Sequence, residues 1–302
     1  MIAIKDLVNA PERFVSGHRS CAGCGFPMIV RTILAACKKP VVACAATGCL
    51  EVVSTIYPFT SWNIPFIHSA FENSAATMTG VVHAYKALKK KGKIKKDAKF
   101  VVFAGDGGTY DIGLQALSGA LERNEEFVYV CYDNGAYMNT GIQRSSATPK
   151  GAYTTTTPAG KLEFRKDLAK IAIAHEIDYV ATASPNNFMD LALKAEKAFS
   201  TKGSSVLIVL SPCPLGWGSK TAQSIKIAKL AVETNFWPLY EYEKKRYALN
   251  FNPDKRKNIK EFLETQTRFK QLLLPENKKV LAKIQKNIDE KFDELKKLCG
   301  EK

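Results

Sequence analysis

Two strand ends and a set of cysteines carry the chemistry this sequence can do. Gly105-Asp106-Gly107 closes the apolar run KFVVFAGDG, and after 26 further residues Asn134 closes the next such run, EFVYVCYDN. A carboxylate and an amide oxygen emerging from adjacent strand ends can share a hard cation. Mg²⁺ takes such oxygens together with those of a bound phosphate. Gly105, Gly107 and Gly108 let backbone amides approach an anion, and a helix predicted to begin near Asp111 lends it a positive end. Cys21 and Cys24 form CAGC, Cys49 stands in ATGC, and Cys213 stands in SPCP after another apolar run. A Cys-x-x-Cys alone suits Zn²⁺ or a redox dithiol, but this one does not open a helix after a strand, as the thioredoxin-like pair does. Proline directly after a cysteine also occurs in ferredoxin-type cluster motifs.

The elements that must position these groups alternate along residues 40–213. Strand candidates are PVVACAATG (40–48), KFVVFAGDG (99–107), EFVYVCYDN (126–134), DYVATAS (178–184) and SSVLIVLSPC (204–213). Runs apolar on both faces suit a buried parallel sheet. Segments 72–90, 111–124, 164–176 and 186–200 place apolar residues at helical spacing between them. The fold class is therefore α/β, a doubly wound parallel sheet whose ligands sit at the carboxyl ends of the strands. After Asn134 about thirty residues without periodicity, rich in Gly, Thr, Ser and Pro, predict an ordered loop that covers a ligand. Beyond Trp217 the sequence turns Tyr- and Lys-rich. It ends in an amphipathic helix (277–298) with Leu281, Ile284, Ile288, Phe292 and Leu295 on one stripe. The expected organisation is a ligand-binding domain over 1–217 with the cluster-type cysteines at its start, then a mostly helical extension over 218–302 serving subunit contact.

Composition is globular, with 46% hydrophobic and 24% charged residues among 302. The net charge is +15. It concentrates in 86–99, with eight Lys against one Asp, and in 241–302. The lysines are not interleaved with aromatics, so a solvated surface or an acidic protein partner is expected and nucleic acid is not. No apolar run approaches the roughly 20 residues of a membrane span, and the start has no signal-peptide core, so the expectation is a cytoplasmic chain. Eight sparse cysteines do not make a secreted disulfide scaffold.

The spacing GDG-x26-N, flanked by two strands and a helix, resembles the fingerprint of the diphosphate-binding domain of thiamine diphosphate enzymes. GHRSCAGCG, ATGCLEV, GDGGTYDIG, YMNTGIQRSSATP and SPCPLGW together resemble the beta subunit of the pyruvate:ferredoxin oxidoreductase (pyruvate synthase) family over about residues 10–240. The resemblance implies thiamine diphosphate and Mg²⁺ as cofactors, with one [4Fe-4S] cluster on Cys21, Cys24, Cys49 and Cys213. It implies Mg²⁺ ligation by Asp106, the Asn134 side chain and the Ala136 carbonyl. The diphosphate and thiazolium would be wrapped by Asn134, Ala136, Tyr137, Met138 and Asn139, with Asn139 reaching the reacting carbon and Thr47, Gly48 and Cys49 touching the cofactor. It further implies alpha-type (thiamine-binding), gamma-type and ferredoxin-like delta-type partner subunits, ferredoxin as acceptor, and pyruvate and coenzyme A as substrates. Branched-chain or other 2-oxo acids are the alternative. Some relatives carry Glu after CxxCG, where this chain has Phe26, to which no catalytic role passes. The glutamate that activates the aminopyrimidine lies on another subunit in the family, so this chain is expected to hold half an active site.

Four cysteines and four histidines remain. Cys44, five residues before Cys49, could compete as a ligand, but the resemblance places the third ligand in the TGC context of Cys49. Cys37 and Cys131 read as small buried hydrophobes and Cys299 as a tail residue. His18, just before the CxxC, and His68, ahead of a helix, could border the site but read first as structural, as do His83 and His175.

Overall fold

The chain builds one eight-stranded sheet, in a computed structural model that describes residues 2–300. In chain order the strands are β1 (Val41–Ala46), β2 (Phe66–Ser69), β3 (Lys99–Gly105), β4 (Val128–Asp133), β5 (Tyr179–Ala183), β6 (Ser205–Leu210), β7 (Tyr240–Glu243) and β8 (Arg246–Leu249). Their spatial order is β2-β1-β3-β4-β6-β5-β7-β8. The first six pair in parallel, while β7 runs antiparallel to β5 and β8 antiparallel to β7.

The central strands are apolar on both faces because both faces are covered. In β3, Val101 and Phe103 join one core while Phe100, Val102 and Ala104 join the other. β4 and β6 divide in the same alternation. Helices Phe26–Ala35 and Phe188–Ser200 close the first face through Ile29, Ile33, Leu191 and Ala195. Helices Ser74–Lys90, Leu114–Glu122, Leu168–Ile173 and Ser224–Glu233 close the second. A fully buried side chain such as Phe103 contributes roughly 2 kcal/mol over its exposed state, so the sheet centre is the rigid base on which the loops stand.

The winding order reverses between the parallel neighbours β1 and β3, since the chain passes from β1 outward to β2 on one side and from β3 to β4 on the other. Crevices at such switch points, beyond the strand carboxyl ends, are where ligands bind in doubly wound folds. The ends of β1, β3, β4 and β6 lie side by side there and lead into Cys49, Asp106, Asn134 and Cys213.

Three details differ from the sequence expectation. The helix expected over 111–124 is two pieces, a π-helical turn over Gly107–Ile112 followed by an α-helix over Leu114–Glu122. Gly113 N donates to Gly108 O (2.8 Å), closing a ring one residue wider than the α-helical one. A Cβ on Gly113 would stand 2.1 Å from that oxygen, so only glycine permits it. β2 is a short, half-exposed edge strand without the apolar signature of the others. The C-terminal extension is helical over Ser224–Glu233, Ile259–Leu263 and Lys278–Leu298, but it also adds the hairpin β7–β8 to the sheet. Lys244 and Lys245 turn that hairpin with φ of 48° and 66°, the left-handed pair of a type I′ turn that commonly uses Asn-Gly. The lysines conceal it.

Candidate functional site

Asp106 follows β3 directly and is buried at the base of the crevice. Its Oδ2 accepts from Ser145 Oγ (2.5 Å) and its Oδ1 from Asn134 N (3.3 Å). Burial, and then the charge of Asp133, hold the Asp106 carboxyl well above the usual carboxylate range. The tip of the Asn134 side chain lies 2.9 Å from Asp106 Oδ1 and 2.9 Å from Ala136 O. With its nitrogen turned inward the amide donates to both, and rotation of the amide would bring its oxygen beside the Asp106 and Ala136 oxygens. Hard oxygen donors around a carboxylate that resists ionisation in isolation fit Mg²⁺, whose charge would reverse that resistance. The sequence expectation thus finds Asp106, Asn134 and Ala136 together.

The loop after Asn134 is ordered. Tyr137 N donates to Gln143 O (2.9 Å) and Ile142 N to Tyr137 O (2.9 Å). The Tyr137 ring fills the space over Gly107, where a Cβ would meet it at 2.5 Å, and its hydroxyl donates to Asp111 Oδ2 (3.0 Å). Met138 occupies the space over Gly216, so the loop rests on the turn that carries Cys213. Farther along, buried Lys161 donates from Nζ to the carbonyls of Thr148 (2.8 Å) and Ser146 (3.1 Å), fixing the stretch that presents Ser145 to Asp106.

Beneath the loop lies a buried network that the motifs did not disclose. Asp133 is ion-paired with Arg165 and accepts from Tyr110 Oη (2.7 Å), and Arg165 also donates to Tyr110 Oη (2.9 Å). The Asn134 carbonyl accepts from Trp217 Nε1 (2.7 Å) and from a terminal nitrogen of Arg268 (3.4 Å). Arg268 stacks on Trp217 at 4.4 Å. Burial pushes its pKa down to about 9, while Cys213, Asp133 and Asp106 pull upward. The only sequence signals for these residues were the unusual loop length and the motif context of Trp217.

The cysteine segments fold onto one another. Gly25 N donates to Pro212 O (2.9 Å), and a Cβ on Gly25 would stand 2.7 Å from the Pro212 ring, so CAGCG lies flat on SPCP. Gly23, at φ +75°, presses against Thr221 O, where a Cβ would stand 2.3 Å away. Cys213 Sγ accepts from Gly216 N (3.3 Å). Cys49 opens the helix Cys49–Ser54, and its thiol donates to Asn139 Oδ1 (3.8 Å). Burial raises the Cys24 and Cys49 thiols to about 12, and the charges of the other set members push the same way. Among the described residues, no three His, Cys, Asp or Glu side chains gather closely enough to hold a single metal ion. A four-iron cluster needs a wider set, because each cysteine binds a different iron. Cys213, Cys49 and Cys21 lie close enough to Cys24 to act on its titration, and such a set fits that demand, since iron would hold the sulfurs as thiolates.

Cys44, Cys37 and Cys131 are buried in the core and Cys299 stands at the end of the last helix. Phe26 is buried and packs on Tyr132 (5.9 Å). His18 stacks on Phe14 and shares a hydrogen bond with Ser20 Oγ (2.5 Å). His68 Nε2 lies 2.7 Å from Thr47 Oγ1, beside the cysteine of ATGC, and Nδ1 lies 3.4 Å from Glu51. Gly48 faces the Tyr132 hydroxyl, where a Cβ would stand at 3.3 Å. His83 pairs with Glu125 (3.1 Å) and His175 with Ser118 (2.8 Å), away from the crevice motifs. No helix among the described residues is long and apolar enough to cross a membrane.

A doubly wound sheet with this crevice is the diphosphate-binding architecture of thiamine-dependent enzymes, and the C-terminal TPP binding domain of thiamine pyrophosphate enzymes matches residues 46–209. The pyruvate synthase subunit PorB of Thermotoga maritima is 49% identical over 97% of this chain and 95% of its own. That of Methanocaldococcus jannaschii is 48% identical over 93% and 95%. The ketoisovalerate oxidoreductase subunit VorB of Pyrococcus furiosus is 43% identical over 98% and 97%. The chain belongs to this family of thiamine-dependent 2-oxoacid oxidoreductase subunits. A 2-oxoglutarate:ferredoxin oxidoreductase from Magnetococcus marinus shares the fold, with TM-score 0.57 at 22% identity over 73% of this chain and 80% of that one.

Proposed function

We propose that this chain is the beta-type subunit of a cytoplasmic enzyme that oxidatively decarboxylates pyruvate to acetyl-CoA and CO₂, or runs the reverse, and exchanges electrons with ferredoxin through one [4Fe-4S] cluster. The observation that carries the reading is the delivery of Asp106, Asn134, Cys49 and Cys213 from four neighbouring strand ends to one crevice. Thiamine diphosphate, when bound, supplies the nucleophilic carbon and electron sink needed to release CO₂ from a 2-oxo acid. Asp106, the Asn134 amide oxygen and the Ala136 carbonyl hold Mg²⁺ against the diphosphate. Gly105 and Gly108 flank Asp106 and the Gly107 amide at the diphosphate, while the missing Cβ of Gly107 makes room for the Tyr137 ring, which with Met138 braces the wrapping loop. Asn139 offers an amide to the substrate. Cys21, Cys24, Cys49 and Cys213 hold the cluster and turn the chemistry from aldehyde release toward electron transfer.

The chain contributes one thiamine-type domain, so an alpha-type thiamine-binding subunit completes the active site, with gamma-type and ferredoxin-like delta-type subunits completing the complex. Reconstituted alone with cluster, Mg²⁺ and thiamine diphosphate, it should show no pyruvate-dependent viologen reduction. Turnover equal to that of the complex would overturn the subunit reading. The VorB relative favours branched-chain 2-oxo acids as a second reading. Assaying the co-purified complex against a panel of 2-oxo acids, with coenzyme A and ferredoxin, decides between the two. Highest kcat/KM for pyruvate supports the first.

A further inference from the structure

Arg268 is a buried cation that forms an ion pair with no carboxylate among the described residues. Its hydrogen bonds go to Gln266 Oε1 (2.9 Å) and the Asn134 carbonyl (3.4 Å), both neutral. The acids nearest to it are spent elsewhere, Asp133 on Arg165 and Tyr110, and Asp106 on Ser145 and Asn134. Burying an unpaired guanidinium is costly, and such a charge persists where an anion comes to meet it.

The guanidinium lies on Trp217 at 4.4 Å, one end of the short helix Pro214–Trp217 that Cys213 caps with its own sulfur. The next turn pins the arrangement. Thr267 N donates to Gly218 O (3.4 Å), and Thr267 fills the space over Gly218, where a Cβ would stand 1.7 Å from Thr267 Oγ1. The extension after Trp217 therefore returns to place one positive charge under the Cys213 turn.

We propose that Arg268 is the positioning cation of the four-cysteine centre, offsetting the negative charge of a thiolate-held cluster and raising its reduction potential. The inference rests on the cluster reading above. Reduction by one electron adds one negative charge to the cluster, so a fixed cation in a low-dielectric interior stabilises the reduced form more than the oxidised one.

The test compares Arg268→Gln, Arg268→Met and Arg268→Lys in the assembled complex, by iron content and by a redox titration followed by electron paramagnetic resonance. The expected result is full iron in all three, with the midpoint moved to more negative potential in the two uncharged variants and held near wild type in Arg268→Lys. Iron lost from both uncharged variants but kept by Arg268→Lys supports the same charge requirement. An unshifted midpoint in a loaded uncharged variant, equal shifts in all three, or loss of iron from all three would overturn it and leave Arg268 a packing residue. A wild-type complex without iron would instead overturn the proposed function, and this inference with it.

Discussion

Cys49 Sγ lies 3.8 Å from Asn139 Oδ1, although ninety positions separate the two residues in sequence. Cys49 stands just past the end of β1 and Asn139 in the loop that β4 launches, so the contact joins the cysteine surface to the loop over the diphosphate crevice. A group bound at one is therefore within reach of a reaction at the other.

Asn139→Ala should lower kcat by about 100-fold, the scale for losing one aligned amide at a reacting oxygen, while leaving the affinity for Mg²⁺ and thiamine diphosphate nearly unchanged. Steady-state kinetics beside calorimetric cofactor titration separate the two. A tenfold loss of cofactor affinity with unaltered kcat would make Asn139 a binding residue only.

Asp106→Asn should cost about tenfold or more in Mg²⁺-dependent cofactor affinity, the scale for disturbing a metal site, without unfolding the protein. The pH dependence carries the sign. Because the folded carboxyl titrates above its usual 3.8, the folded chain keeps a proton that the unfolded chain releases, so cofactor-free stability falls as pH rises above that value. Mg²⁺ binding expels the proton and should strengthen over the same range. Denaturant unfolding across pH should show a flatter profile for Asp106→Asn; identical slopes would make the carboxyl irrelevant to this linkage.

Arg165→Met should destabilise the protein by about 3 kcal/mol, since it strands the buried Asp133 carboxylate without its cation. The double variant with Asp133→Asn should recover part of the loss. Urea melts of the single and double variants measure the coupling, and strictly additive losses would show that the pair contributes nothing of its own.

The contrast between these residues shows what the sequence made legible. Asp106 and Asn134 stand at the ends of strands buried on both faces, and an uninterrupted apolar run announces its own end. Cys21, Cys24, Cys49 and Cys213 are legible as types and through motif context, but their meeting depends on the strand order β1-β3-β4-β6, which no local pattern encodes. Half-buried Arg165 and buried Arg268 were invisible, because an arginine drawn into the interior reads like a solvated one until its environment is known. The hairpin β7–β8 was hidden by the Tyr-Glu alternation of a buried β7 and the half-exposed residues of β8, and the π-turn after Asp106 by a hydrogen bond that only Gly113 allows.

Cys213→Ser should lose or damage the cluster, while Cys44→Ala and Cys299→Ser should leave iron content unchanged, because Cys44 is sealed in the core and Cys299 sits at the far end of the last helix. Equal iron loss from all three would remove the basis for the ligand assignment.

Electron transfer from pyruvate into the four-cysteine centre can be read in the electron paramagnetic resonance spectrum of the anaerobic assembled complex, given pyruvate and coenzyme A with no external acceptor. Oxidation of pyruvate to acetyl-CoA and CO₂ releases electrons that have nowhere to go except bound clusters, so a reduced iron-sulfur signal should appear with pyruvate and be lost in Cys213→Ser. Formation of CO₂ and aldehyde with no such signal in the wild-type complex would contradict electron transfer through the cluster and leave a thiamine enzyme whose cysteines carry no electrons.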